Sequence, residues 1–250
     1  MLSKLEAASS LLLGLALVPQ AAAHGHVSGI TIDGTFYSGW LDSFPHVPNP
    51  PDVIAWSTTV TDNGFVSPSQ FGSADIICHR GGAPGPISAP VAAGGTIELQ
   101  WNTWPDSHHG PVIDYIARVD GDFSNINKGS LQWVKIDEGG LRSGSNPGRW
   151  ATDELIADDF TWVTKIPASL APGNYVLRHE IIALHSAGQS NGAQAYPQCI
   201  NLRVTGSGSK TPSGGEPATS FYTAQDPGIL FNLYTQFSQY SIPGPPVWSP

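Results

Sequence analysis

The chain has 250 residues, of which 28 are Gly and 22 are Pro, and only 12% are charged, a makeup suited to turn-rich β structure rather than long helices. Its formal net charge of −9, with 11 Lys and Arg against 20 Asp and Glu, argues against nucleic-acid binding and favours an uncharged partner. A chain of this length buries a sizeable core in one all-β domain.

Met1 to Lys4 gives a weakly basic start, Leu11 to Val18 an apolar stretch, and Ala21 and Ala23 the small residues a signal peptidase needs. Residues 1–23 therefore read as a secretory signal peptide and 24–250 as one domain with no appended carbohydrate-binding module. The apolar stretch is too short to span a bilayer, so the expectation is a secreted, extracellular monomer with no membrane partner. Cleavage after Ala23 makes His24 the first residue. Its α-amine, with a pKa of about 8, then joins its imidazole in a chelate ring.

The Pro-rich run Trp40 to Pro51 is too broken for a strand and reads as a functional loop. Ile97, Leu99 and Trp101 alternate with Thr96, Glu98 and Gln100, the period of a half-buried strand. Ile113, Tyr115 and Ala117 alternate less cleanly. The runs Leu131 to Ile136, Phe160 to Ile166, Tyr175 to Leu184 and Cys199 to Val204 are β-branched or aromatic, with Gly-Gly, Pro-Gly or Asn-Pro punctuation between many of them. Together they predict an antiparallel β-sandwich. Gly206 to Pro217 has linker composition, whereas the aromatic-rich Phe221 to Tyr240 is expected to pack back on the body. Cys78 and Cys199, the chain's two cysteines, read as one structural disulfide in an oxidising compartment.

Chemistry concentrates in three places. His24 is the first. The second is Trp101 to Val112, a loop after a strand that carries His108 and His109; adjacent side chains point apart in extended chain, so one of the pair reaches a metal. The third runs from His185 to Gln194 and Tyr196, whose amide and phenol share a face if the segment is extended. Three nitrogen donors from two histidines, with a distant phenol oxygen, suit Cu(II). Zinc would take a fourth firm ligand and calcium would want carboxylates. Two other readings stand beside this one: a glycoside hydrolase drawing a carboxylate pair from Asp106, Asp114, Asp153, Glu154 and Glu180, and a non-catalytic copper- or glycan-binding sandwich.

Five stretches carry a family resemblance: HGHVSGI at His24, DIICHRGGAPG at Asp75, ELQWNTWPDSHHGPVIDY at Glu98, the run Gly173 to Gly206, and DPGILFNLYTQFSQYSIPGP at Asp226. They resemble the fungal lytic polysaccharide monooxygenases of auxiliary activity family nine, formerly glycoside hydrolase family sixty-one. The resemblance implies an immunoglobulin-like sandwich with a flat face holding one copper. His24 would supply its amine and Nδ1, His109 its Nε2, and Tyr196 a distant axial oxygen. His185 and Gln194 would hydrogen-bond the oxygen species, and Cys78–Cys199 matches the family's common disulfide. The implied reaction is oxidation of β-1,4-glucan, chiefly cellulose, at C1 or C4 or both, with O₂ or H₂O₂ and an external electron donor. For substrate contact the resemblance points to His46 and Asn49 on the Pro-rich loop, and to Tyr240, which the residues alone leave open as exposed face or core ring. Arg118 to Phe123 lacks the cysteine that some relatives carry there.

Overall fold

A computed structural model describes residues 24–249; the expected signal peptide, residues 1–23, lies outside them. In chain order the elements are β1 (Val27–Ile32), β2 (Thr35–Ser38), α1 (Asp75–Cys78), β3 (Ala89–Ala92), β4 (Thr96–Trp101), β5 (Val112–Val119), β6 (Trp133–Gly139), β7 (Leu141–Ser143), β8 (Arg149–Trp150), α2 (Ala151–Ala157), β9 (Thr161–Lys165), β10 (Gly173–Ala183) and β11 (Gln194–Thr205). They form a four-stranded sheet, β2-β1-β4-β9, a five-stranded sheet, β3-β11-β10-β5-β6, and the small ribbon β7-β8. The architecture is the expected β-sandwich. One pair departs from the antiparallel pattern, since β3 runs parallel to β11.

Between the sheets, Ile30, Ile97, Leu99 and Trp101 meet Ile116, Leu177, Ile181 and Leu202 in one buried cluster. The alternation of β4 follows from its having one face in this cluster and the other in solvent. The blurred alternation of β5 has the opposite cause. Seven of its eight residues are buried, because a second cluster covers the sheet's other face. There Ile113, Tyr115, Val176 and Ile182 lie under α1 and under Phe221, Tyr222 and Leu233 of the C-terminal segment, which packs back as expected.

This outer layer is fixed by polar and covalent ties. The Cys78–Cys199 disulfide joins α1 to β11 across a separation of 121 residues. The fully buried Arg178 donates to both carboxylate oxygens of Glu180 and to the Ile76 and Ile77 carbonyls, and Tyr222 donates to Glu180. An isolated buried charge would be prohibitive; each charge here is answered by an opposite one and by hydrogen bonds. Among the described residues no helix is long and apolar enough to cross a membrane.

His79, after α1, is 3% exposed and neutral: its Nε2–H donates to the Gly64 carbonyl and its Nδ1 accepts from the Arg80 amide. Burial pushes its pKa from 6.5 down to about 4. The unfolded chain thus binds a proton that the folded chain refuses. This stability is present above pH 6.5, falls as the pH drops, and is gone below about pH 4, a loss of about 3 kcal/mol. Denaturant unfolding at pH 7 and pH 4.5 is expected to show His79→Gln less acid-sensitive than wild type, by close to one proton in slope.

Candidate metal centre

The strand order brings the predicted site residues to one end of the sandwich. β10 is antiparallel to β5 and β11, so the end of β10 lies beside the starts of both. β1 is antiparallel to β4, so the start of β1 lies beside the end of β4. His24 precedes β1, His109 lies between β4 and β5, His185 follows β10, and Gln194 and Tyr196 open β11.

Two glycines permit the close approach. A Cβ on Gly25 would sit 2.0 Å from the Thr103 carbonyl oxygen, and one on Gly110 would sit 1.9 Å from that of Ile182. Any side chain at either position would push its neighbouring histidine away from the cluster. The chain beside His24 is held further by the His26 amide, which donates to Asn102 Oδ1 at 2.9 Å.

The His24 ring lies 5.6 Å from that of Tyr196 and 5.2 Å from that of His108. Tyr196 is fully buried, and its hydroxyl donates to Gln194 Oε1 at 2.7 Å. Alternation along β11 puts these two on one face, as an extended segment requires. Trp104 meets the Tyr196 ring edge-on at 5.1 Å and fixes its plane. His108 and His185 stack at 3.7 Å. Their buried Nε2 and Nδ1 atoms, respectively, have no partner among the described residues.

Burial holds His24 and His185 below the ordinary histidine pKa, and His108 is pushed down to about 3 by burial and then by the neighbouring imidazoles. These rings are neutral at pH 7, with lone pairs available. His109 is half-buried, and its Nδ1 donates to Asp153 Oδ1 at 3.0 Å, which leaves Nε2 as its lone-pair nitrogen. Among the described residues no group of three or more His, Cys, Asp and Glu side chains is placed to hold a metal ion. A metal held by His24 and His109 would need a donor outside that set, and the α-amine that removal of residues 1–23 would free on His24 is of the right type. The donor set is neutral nitrogen, the preference of copper rather than calcium or magnesium.

Tyr240 is corrected by the structure. Its ring packs edge-on against Trp150 and Phe231, at 4.8 and 5.1 Å, and its hydroxyl donates to the Gly228 carbonyl. Packed this way, the ring is only partly exposed. The exposed tyrosine of this segment is Tyr234, 53% exposed, which lines a depression of about 300 Å³ together with His185, Gln189 and Asn232. Buried Leu233 beside exposed Tyr234 is the pattern that could have found it. His46 and Asn49 are both exposed on the loop after β2. A second depression, of about 550 Å³, is lined by His24 with Asp62, Ser67, Arg80 and Asn191.

The carboxylate-pair alternative finds no pair. Asp114 is buried and accepts from His179, Trp162 and Thr164; Glu180 is locked to Arg178; Asp153 holds His109; Glu154 pairs with Arg142. Asp106 is exposed and stands apart from these bonds.

Fold and site together define an immunoglobulin-like β-sandwich with a histidine-rich surface site. The family model of Auxiliary Activity family 9 (formerly GH61) matches residues 24–241. The chain is 62% identical over 235 residues to AA9 family lytic polysaccharide monooxygenase F of Malbranchea cinnamomea, covering 94% of this chain and 95% of that relative. It superposes on the extended catalytic domain of LPMO9A, also known as EG4, of H. jecorina with a TM-score of 0.88 and 52% identity, over 90% of this chain and 91% of that one. A polysaccharide monooxygenase from M. thermophila, described as cellulose-active, matches with a TM-score of 0.78 and 34% identity, over 90% of this chain and 99% of that one. The chain belongs to Auxiliary Activity family 9, the lytic polysaccharide monooxygenases. It is an oxidative enzyme of polysaccharide degradation.

Proposed function

We propose that this enzyme is a secreted, copper-dependent monooxygenase that cleaves β-1,4-glucan chains of cellulose at C1, C4 or both. Removal of residues 1–23 gives it His24 as N-terminus, and O₂ or H₂O₂ with an external reductant completes the reaction. The observation that carries this reading is the convergence of His24, His109, Gln194 and Tyr196 at one strand end. Cellulose as substrate is supported by the cellulose-active M. thermophila neighbour.

The amine and Nδ1 of His24 and Nε2 of His109 would hold one copper ion. Bound there, copper supplies one-electron exchange with the reductant and activation of the oxygen cosubstrate. The protein's own groups do the rest. Tyr196, buried and tied to Gln194, closes the inner side of the site and keeps its phenol proton, because burial raises its pKa. Gln194 and His185 would orient the oxygen cosubstrate. Tyr234 would lay its ring along a glucan chain, with His46 and Asn49 extending the contact face.

The test is mass spectrometry of products released from cellulose by copper-loaded protein with ascorbate and H₂O₂. Aldonic acids or C4-keto sugars are expected, and unoxidised oligosaccharides alone would overturn the reading. Tyr234→Ala is expected to weaken cellulose binding about three- to tenfold, the worth of one stacked ring, with copper affinity unchanged. Tyr240→Phe is expected to cost about 1 kcal/mol of stability through the lost bond to Gly228 and to leave binding intact.

A further inference from the structure

The first turn of α2 grips the His109 loop at two points. Thr152 Oγ1 accepts from the Gly110 amide at 3.0 Å, and Asp153 Oδ1 accepts from His109 Nδ1–H at 3.0 Å. The other oxygen of Asp153 accepts from the Trp150 amide at 2.6 Å, which ties the third residue of the helix back to its N-cap backbone. From the opposite side, the Leu184 amide donates to the His109 carbonyl. One carboxylate thus serves two obligatory jobs, with one oxygen committed to a backbone donor and the other to the imidazole.

We propose that Asp153 is the positioning residue that presents Nε2 of His109 to the metal. The inference rests on the reading of His109 as a copper ligand. The physical reason is directional. A carboxylate only accepts, so in the neutral ring the imidazole proton sits on Nδ1 and the lone pair on Nε2 before any metal arrives. Thr152 and Gly110 set where the backbone lies, and Asp153 sets which nitrogen is open and how the ring is turned. Residues that orient a ligating histidine in this way govern metal affinity without touching the metal.

Asp153→Asn separates this role from helix capping. Asparagine keeps one oxygen, and the Trp150 N–H, always a donor, claims it. The amide NH₂ then faces Nδ1 and drives the proton to Nε2, the wrong tautomer for ligation; the same substitution has this effect in catalytic triads. Nitrogen-15 NMR of the imidazoles in metal-free protein should show Nδ1–H on His109 in wild type and Nε2–H in Asp153→Asn. Competition titration with Cu(II) alone should show affinity about tenfold weaker or worse in the variant. Thr152→Val, which loosens the same turn, should lower the melting temperature while His109 keeps Nδ1–H.

A folded Asp153→Asn protein with Nδ1–H and wild-type Cu(II) affinity would overturn the proposal. So would wild-type protein with His109 as Nε2–H or an even mixture, a result that needs no variant. His109→Ala separates the two levels. Wild-type affinity in that variant removes the ligand reading itself, whereas its loss beside a silent Asp153→Asn removes only the positioning role.

Discussion

Protein carrying one extra residue ahead of His24 is expected to lose tight Cu(II) binding and all oxidation of cellulose, while keeping the fold of the mature form. The extra residue turns the α-amine into an amide, whose nitrogen lone pair is delocalised into the carbonyl and no longer serves as the neutral donor of the mature form. One of three nitrogen donors disappears, and the chelate ring at His24 opens with it. Changing an outer group around a metal typically costs ten- to a hundredfold in affinity, so losing a direct donor should exceed about a hundredfold. The fold is spared because the chain is anchored just inside the terminus, by the close pass of Gly25 over Thr103 and by the His26 amide on Asn102. Calorimetric Cu(II) titration and product analysis of extended and mature forms, with melting temperatures matched, is the comparison to make. Full turnover by the extended form would contradict the amine's role.

The second large effect concerns stability. Replacing Cys78 and Cys199 by serine releases a loop of 121 residues, worth about 4–5 kcal/mol in chain entropy. For a domain of this size that corresponds to about 10–15 °C in melting temperature. The bond matters because α1 spans only four residues, too few to hold itself, and lies over β11 on the second face of the five-stranded sheet. Arg178 still tethers the Ile76 and Ile77 carbonyls in the variant, so the protein is expected to fold. Copper affinity should change far less than stability, since neither sulfur touches the histidine cluster. Equal thermal transitions for the two proteins would count against a structural role for the bond.

Much of the fold was legible from local pattern. β4 alternates because it has one wet face, and β10 and β11 were visible as β-branched runs. β11 begins five residues before the expected Cys199, because the segment from Gln194 pairs with β10 as far as Ala183. The helix α2 was not read from its residues. Ala151 to Ala157 makes only about two turns, its Asp and Glu resembled free carboxylates, and only its packing shows Asp153 bound to His109. Tyr240 was misplaced for a related reason. Two tyrosines six residues apart in an irregular segment carry no periodicity, so nothing local says which one Trp150 and Phe231 will cover.

By itself the sequence determined the donor types and the covalent frame: a histidine behind a signal-like leader, a His-His loop, a Gln-x-Tyr pair on one face of a strand, and two cysteines with only each other to bond. These are properties of residue identity and short-range spacing. The tertiary structure alone decided which groups meet. Strand ends far apart in the chain are brought together only by the antiparallel order of the sheets, and the inward turn of Tyr240, the exposure of Tyr234 and the grip of Asp153 on His109 are long-range packing outcomes that no local pattern encodes.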